Sequence, residues 1–172
     1  MDPNALRKRY QYLWTGEACA AALFLALFLW VTYQDGRWQH WVVRTYSLGV
    51  VLLILLQGVA WWRWKIHLLD TQQRQMPAPV IRVYRAWRWI NWLLIGGFPL
   101  VVVSTTWLTQ QPLLAPDTWL GLLMLGGAVL EQINYYHVQL MYDSAYDWTH
   151  LRAHRRLRRG TIAKALDASL VR

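Results

Sequence analysis

Four stretches of this chain, at about 13–33, 41–62, 88–107 and 118–141, are almost free of charge. Each is long enough to cross a hydrocarbon layer ~30 Å thick at ~1.5 Å per helical residue. Apolar residues surround each stretch instead of alternating along it. Lipid offers the backbone no water to bond, so each stretch is predicted to be a helix. That one pattern confines the chain to an all-α integral membrane protein, a bundle of four spans. Only 16% of the 172 residues are charged and 56% are hydrophobic, whereas a soluble domain carries about a quarter charged residues. Cys19 is the sole cysteine, which excludes a disulfide scaffold and reads as inert packing within the first span.

Charge then predicts the orientation. Arg7, Lys8 and Arg9 precede the first span, and Arg63, Lys65, Arg74, Arg82, Arg85 and Arg88 separate the second from the third. Arg152, Arg155, Arg156, Arg158, Arg159, Lys164 and Arg172 follow the fourth. The opposite side has only Arg37 and Arg44. Both termini are therefore expected in the cytoplasm, with the chain in the plasma (inner) membrane; an internal membrane such as the thylakoid is the alternative. The first apolar run is too long for a secretory leader and lacks its small-residue cleavage site, so it is kept as a span. Most of the thirteen tryptophans fall near the ends of the spans. Trp14, Trp61, Trp62, Trp64, Trp87, Trp89 and Trp92 fall at the inner edge, and Trp30, Trp38, Trp41, Trp107 and Trp119 at the outer one. They form the aromatic belt that an amphipathic ring makes at headgroup depth.

The helices are expected to outrun the membrane on the cytoplasmic side. Arg63 to Met76 holds no breaker before Pro77 and Pro79, so helix two should continue past its span. No breaker interrupts Ala128 to Arg159 either, and Gly160 offers a C-terminal cap. Residues 1–143 thus read as the four-helix membrane domain and 144–172 as a basic helical tail, with a last short helix at about 161–170. Gly96, Gly97 and Pro99 predict a kink in helix three. The basic tail, Arg152, Arg155, Arg156, Arg158 and Arg159, suits anionic lipid headgroups or an acidic partner subunit. It has no nucleic-acid module, so nucleic acid is not an expected partner.

Ionisable and amide groups inside a membrane are costly, so their depths carry information. Glu17, Gln57, Asn91, Glu131 and Asn134 fall at one depth in the inner third, contributed by all four helices. They are predicted to form an interior polar layer, either as interhelical glue or as an ion or proton site centred on Glu131. Glu131 should contact a polar group of another helix, with Glu17, Gln57, Asn91 or Arg88 as candidates. Gly127, Glu131 and Asn134 share one helical face, and Gly16 and Ala20 flank Glu17, so close helix approach is expected at these glycines. Tyr135, Tyr136 and His137 lie at the inner interface as candidate ligand or contact residues. Heme ligation would need a second histidine at matching depth, and only His67 qualifies. No cofactor or metal is expected otherwise.

No phosphate-cradling glycine loop, paired-cysteine zinc site or nucleophile elbow occurs. The favoured expectation is a non-enzymatic accessory or assembly subunit of a larger membrane complex, partnered by other membrane subunits or by its own copies. A small oligomeric transporter or channel with its site around Glu131 is the alternative. A cofactor-binding redox bundle is the weaker one.

Overall fold

The computed structural model describes residues 3–37, 41–73, 75–141, 149, 152 and 157–169. The named elements are helices: α1 (Pro3–Asp35), α2 (Val42–Asp70), α3 (Ala78–Thr109), α4 (Pro116–Tyr136) and the short α5 (Thr161–Ala168). No strand occurs among the described residues; Val138 and Arg159 form an isolated antiparallel bridge. Three helices, α1, α2 and α3, are long and apolar enough to cross a membrane. The 21 residues of α4 rise about 31 Å. Glu131, Gln132 and Asn134 crowd its last two turns, and α4 is not among those three.

The centre of the molecule is α2, against which α1, α3 and α4 all pack. It buries Val43, Leu48, Val51, Ile54, Leu55 and Trp61 on one broad face, while Thr45, Gly49, Leu56 and Ala60 on the other side are exposed. By contrast α1 buries only Thr32 and leaves Leu23, Leu27, Leu29 and Trp30 exposed. Close approach to α2 depends on missing side chains. A Cβ on Gly121 of α4 would meet Val43 at 2.8 Å and Ser47 at 3.2 Å. A Cβ on Gly97 of α3 would lie 2.9 Å from the Tyr46 hydroxyl. That hydroxyl donates to the Leu94 carbonyl at 2.5 Å, one residue before the carbonyl that Pro99 leaves without a helical donor. The gap at Gly97 thus admits the tyrosine hydroxyl beside the proline region, and α3 runs continuously through it.

Several boundaries correct the sequence expectations. α2 stops at Asp70, not near Met76. The Thr71 N–H and hydroxyl both bond the His67 carbonyl, at 2.9 and 2.8 Å, and Gln72 turns into the left-handed region. α3 starts at Ala78, so Arg82 and Arg85 sit on a helix and not in a connection. α4 does not run on toward Arg159: it ends at Tyr136. The chain doubles back there, with Gln139 N–H bonding the Arg158 carbonyl at 2.8 Å and Gly160 N–H bonding the His137 carbonyl at 3.0 Å. Gly160 is not the cap of a long helix. It presses against the carbonyls of Asn134 and Tyr135, a contact only a residue without Cβ can make, and it opens α5. α5 buries Ile162, Ala163 and Leu166 against α3 and α4. Trp61 is not a belt residue either: it is fully buried, edge-on to Tyr84 at 5.1 Å, and donates to Thr161 Oγ1 at 3.2 Å.

At the opposite end of the bundle a charged cluster closes α2. Asp117, in the first turn of α4, accepts the Val43 N–H at 3.0 Å and the Arg44 N–H at 3.2 Å. It therefore caps another helix, satisfying first-turn donors that have no partner of their own. The Arg44 side chain is buried and bonds Asp117 Oδ1 and Asp35 Oδ2, both at 2.7 Å.

Candidate functional site

At the other end of α2 the polar residues form two neighbouring but different constructions. The first is a closed hydrogen-bonded set. Gln57 of α2 and Asn91 of α3 exchange amide bonds at 3.0 and 2.9 Å. Asn91 donates a further bond to Gln132 Oε1 of α4 at 2.8 Å. Tyr136 donates to Gln57 Oε1 at 2.7 Å, Tyr84 donates to the Gln57 carbonyl at 2.8 Å, and Gln132 donates to the Arg88 carbonyl at 3.1 Å. Asn91 and Gln132 are fully buried and Gln57 nearly so. Burying amides is tolerable because each donates and accepts within the set.

The second is a cavity of about 590 Å³ between α1 and α4, with α2 as its floor and the chain after α4 along one side. This is the size of a small-molecule site. Glu17 and Glu131 both line it, and the Trp62 indole donates to Glu17 Oε1 at 2.7 Å. Glu17 Oε2 and the Tyr135 hydroxyl lie together over Gly58, where any Cβ would collide with both. Tyr10 stacks on Trp62 with ring centroids 5.6 Å apart, and both rings face the cavity. Arg9, Lys65, Arg158, Arg159 and Lys164 bring cations to it. Arg159 is also paired with Asp167. Tyr12, Thr15, Gly16 and Cys19 share an exposed face of α1 that lines the same space. Gly16 therefore borders an opening and is not a point of helix contact, and a Cβ there would meet nothing within 4 Å.

The expected polar layer is thus divided. Gln57 and Asn91 meet in the closed set, whereas Glu17, Glu131 and Asn134 line the cavity. Glu131 takes its hydrogen bond from Asn134 on its own helix, at 3.3 Å, and not from the other helices. The cross-helix partner is its neighbour Gln132. The physical reason is helical phase: one residue turns the side chain by ~100°. The buried face of α4 reads Gly121, Leu125, Ala128 and Gln132, an i, i+4, i+7, i+11 spacing that a helix apolar on all its sides does not single out in the sequence. Gly127 lies off that face, its nearest contact being Val51 at 3.9 Å. Asn134 Oδ1 also accepts the Leu140 N–H at 2.9 Å, helping to turn the chain after α4.

Tyr136 joins the closed set, and Tyr135 is buried beside Glu17. His137 closes α4, and its Nε2 accepts the Trp92 indole N–H at 3.3 Å. His67 is exposed and packs edge-on to Trp64. Among the described residues no group of three His, Cys, Asp or Glu side chains gathers to hold a metal ion. Of the basic tail, Arg152 is exposed, Arg158 and Arg159 line the cavity, and Arg155 and Arg156 lie outside the described residues. Sequence reasoning missed Gln132, Tyr84 and the Arg44–Asp117–Asp35 cluster, although an arginine just inside a span asks for an acidic partner. No family model, no curated protein and no solved structure matches this chain.

Proposed function

We propose that this is a non-enzymatic multi-pass membrane protein that serves as an accessory or assembly subunit of a larger membrane complex. In this reading α4 is the fourth span, the bundle has both termini on the cytoplasmic face of the plasma (inner) membrane, and residues 144–172 form a basic cytoplasmic tail. The observation that carries it is the closed set around Asn91. The buried amides Gln57, Asn91 and Gln132 spend their hydrogen bonds on one another, on Tyr136 and on the Arg88 carbonyl, so this layer holds the helices together. What remains for work is the surface: the apolar faces of α1 and α3, including Leu27, Trp30, Leu93 and Leu100, and the cationic side around α5. Such faces suit lipid and other membrane helices, and the positive residues suit anionic headgroups or an acidic subunit. Extraction in mild detergent from the native membrane should recover a stoichiometric partner chain. Recovery of the isolated chain alone under every gentle condition tried would count against the reading.

A second reading, a small oligomeric transporter with its site around Glu131, is favoured by the cavity that Glu131 shares with Glu17. Its test is solute or ion flux in proteoliposomes, abolished by Glu131→Gln with folding intact.

A further inference from the structure

The cavity carries both signs of charge, and this restricts what can fill it. A ligand of negative charge alone would meet the carboxylates of Glu17 and Glu131. A purely cationic ligand would meet Arg9, Lys65, Arg158, Arg159 and Lys164. A molecule holding an anion and a cation a few bonds apart complements both sets. The order along the helices sorts them: Arg9 lies two helical turns before Glu17 on α1, and the other arginines follow the end of α4 that Glu131 precedes. The cations therefore gather toward the α5 end and the carboxylates lie deeper along the bundle.

Arginine forks suit phosphate oxygens, and pairing with Asp167 leaves Arg159 further donors. Two carboxylates suit a primary ammonium, which offers three N–H donors. Leu13, Ala20 and Leu55 add apolar wall, and the Tyr10–Trp62 stack lines the same space with amphipathic rings. The exposed face of Tyr12, Thr15, Gly16 and Cys19 is an opening along α1, inside the stretch that is apolar enough to cross a membrane. A headgroup can enter there while its acyl chains stay in the bilayer.

We infer that this cavity binds the headgroup of an aminophospholipid, with its phosphate on the arginine and lysine side and its primary ammonium against Glu17 and Glu131. The inference rests on the membrane reading above and not on any role as an accessory subunit. The test uses the full chain in detergent, mixed with phosphatidylethanolamine, phosphatidylglycerol or phosphatidylcholine of matched acyl chains, with retained lipid counted by native mass spectrometry. Phosphatidylethanolamine should be held about tenfold more tightly than either of the others, the order of one charge-assisted hydrogen bond. Glu131→Gln should bring it down to the level of phosphatidylglycerol. The pair Arg158→Ala with Lys164→Ala should weaken phosphatidylethanolamine and phosphatidylglycerol alike. Arg63→Ala with Arg82→Ala removes the same charge outside the cavity and should change nothing.

Equal retention of phosphatidylethanolamine and phosphatidylglycerol, or equal loss in both double variants, overturns the site in favour of diffuse attraction. Equal retention of soluble phosphoethanolamine overturns the lipid as occupant. Failure of the membrane reading is seen separately, as a chain recovered without detergent before any lipid is added.

Discussion

The two ends of α2 solve the same problem with opposite chemistry. At one end a fully charged guanidinium, Arg44, is buried between two carboxylates, and one of these also caps the helix. At the other end the buried groups are neutral amides and phenols, and the carboxylates Glu17 and Glu131 stand aside, lining a cavity. Charge can be buried only when it is matched from several directions, and the Arg44 end does this with donors and acceptors from three elements. A neutral set demands less, but each of its amides must both give and receive. The charged end therefore depends on two carboxylates around one cation, while the amide end spreads its bonds over several neutral groups.

The comparison breaks most readily at Asp117. Asp117→Leu leaves the Arg44 charge with Asp35 alone and uncaps α2, and removal of one partner of a buried pair costs about 3–5 kcal/mol. Thermal unfolding in detergent, followed by circular dichroism, should show the largest loss for this variant. If it costs no more than a change at Asn91, the two ends are not held differently.

Asn91→Leu leaves Gln57 short of two bonds and Gln132 short of one. Orphaned buried polar groups cost about 1–3 kcal/mol, and the lower half of that range is expected because amides in membranes find substitutes. A double-mutant cycle with Gln132→Leu should give non-additive losses, as members of one network do. Strict additivity would mean that the amides act independently.

Gly58→Ala tests the junction between the closed set and the cavity. The new methyl meets the Glu17 carboxylate and the Tyr135 hydroxyl, and forced overpacking costs about 1–3 kcal/mol. The same overlap should push α1 away from α2, which cross-linking of cysteines placed on the two helices would report. An unchanged cross-linking rate and melting point would show that the contact yields without resistance.

The smallest effect is expected at Glu131. Glu131→Gln keeps an acceptor for Asn134 and faces a cavity, so its melting point should stay within the change of about 0.5 kcal/mol typical of unconstrained positions. A loss as large as that of Asn91→Leu would place Glu131 in the core after all.

Long apolar stretches announced their own helices because lipid-compatible backbone has one local solution, and α1, α2 and α3 lie where hydropathy put them. The short α5 was expected at about 161–170 and runs Thr161–Ala168, although Gly160 before it was read as the end of another helix. Depth along a helix was also readable, so Gln57 and Asn91 were correctly paired in level. Rotation was not. In a helix apolar on all sides nothing local says which side faces a neighbour, and so Glu131 was chosen over Gln132 and Gly127 over Gly121. The end of α4 was hidden for a related reason: no residue from Ala128 to Arg159 forbids helix, and the chain turns where Asn134 takes the Leu140 N–H and Gly160 returns onto the carbonyls of Asn134 and Tyr135. The sequence by itself determined the lipid-compatible helices and the levels of their polar groups, because those follow from one residue after another. Which groups meet, which line a cavity and where the last long helix breaks were decided by tertiary packing, since each depends on atoms far apart in the chain.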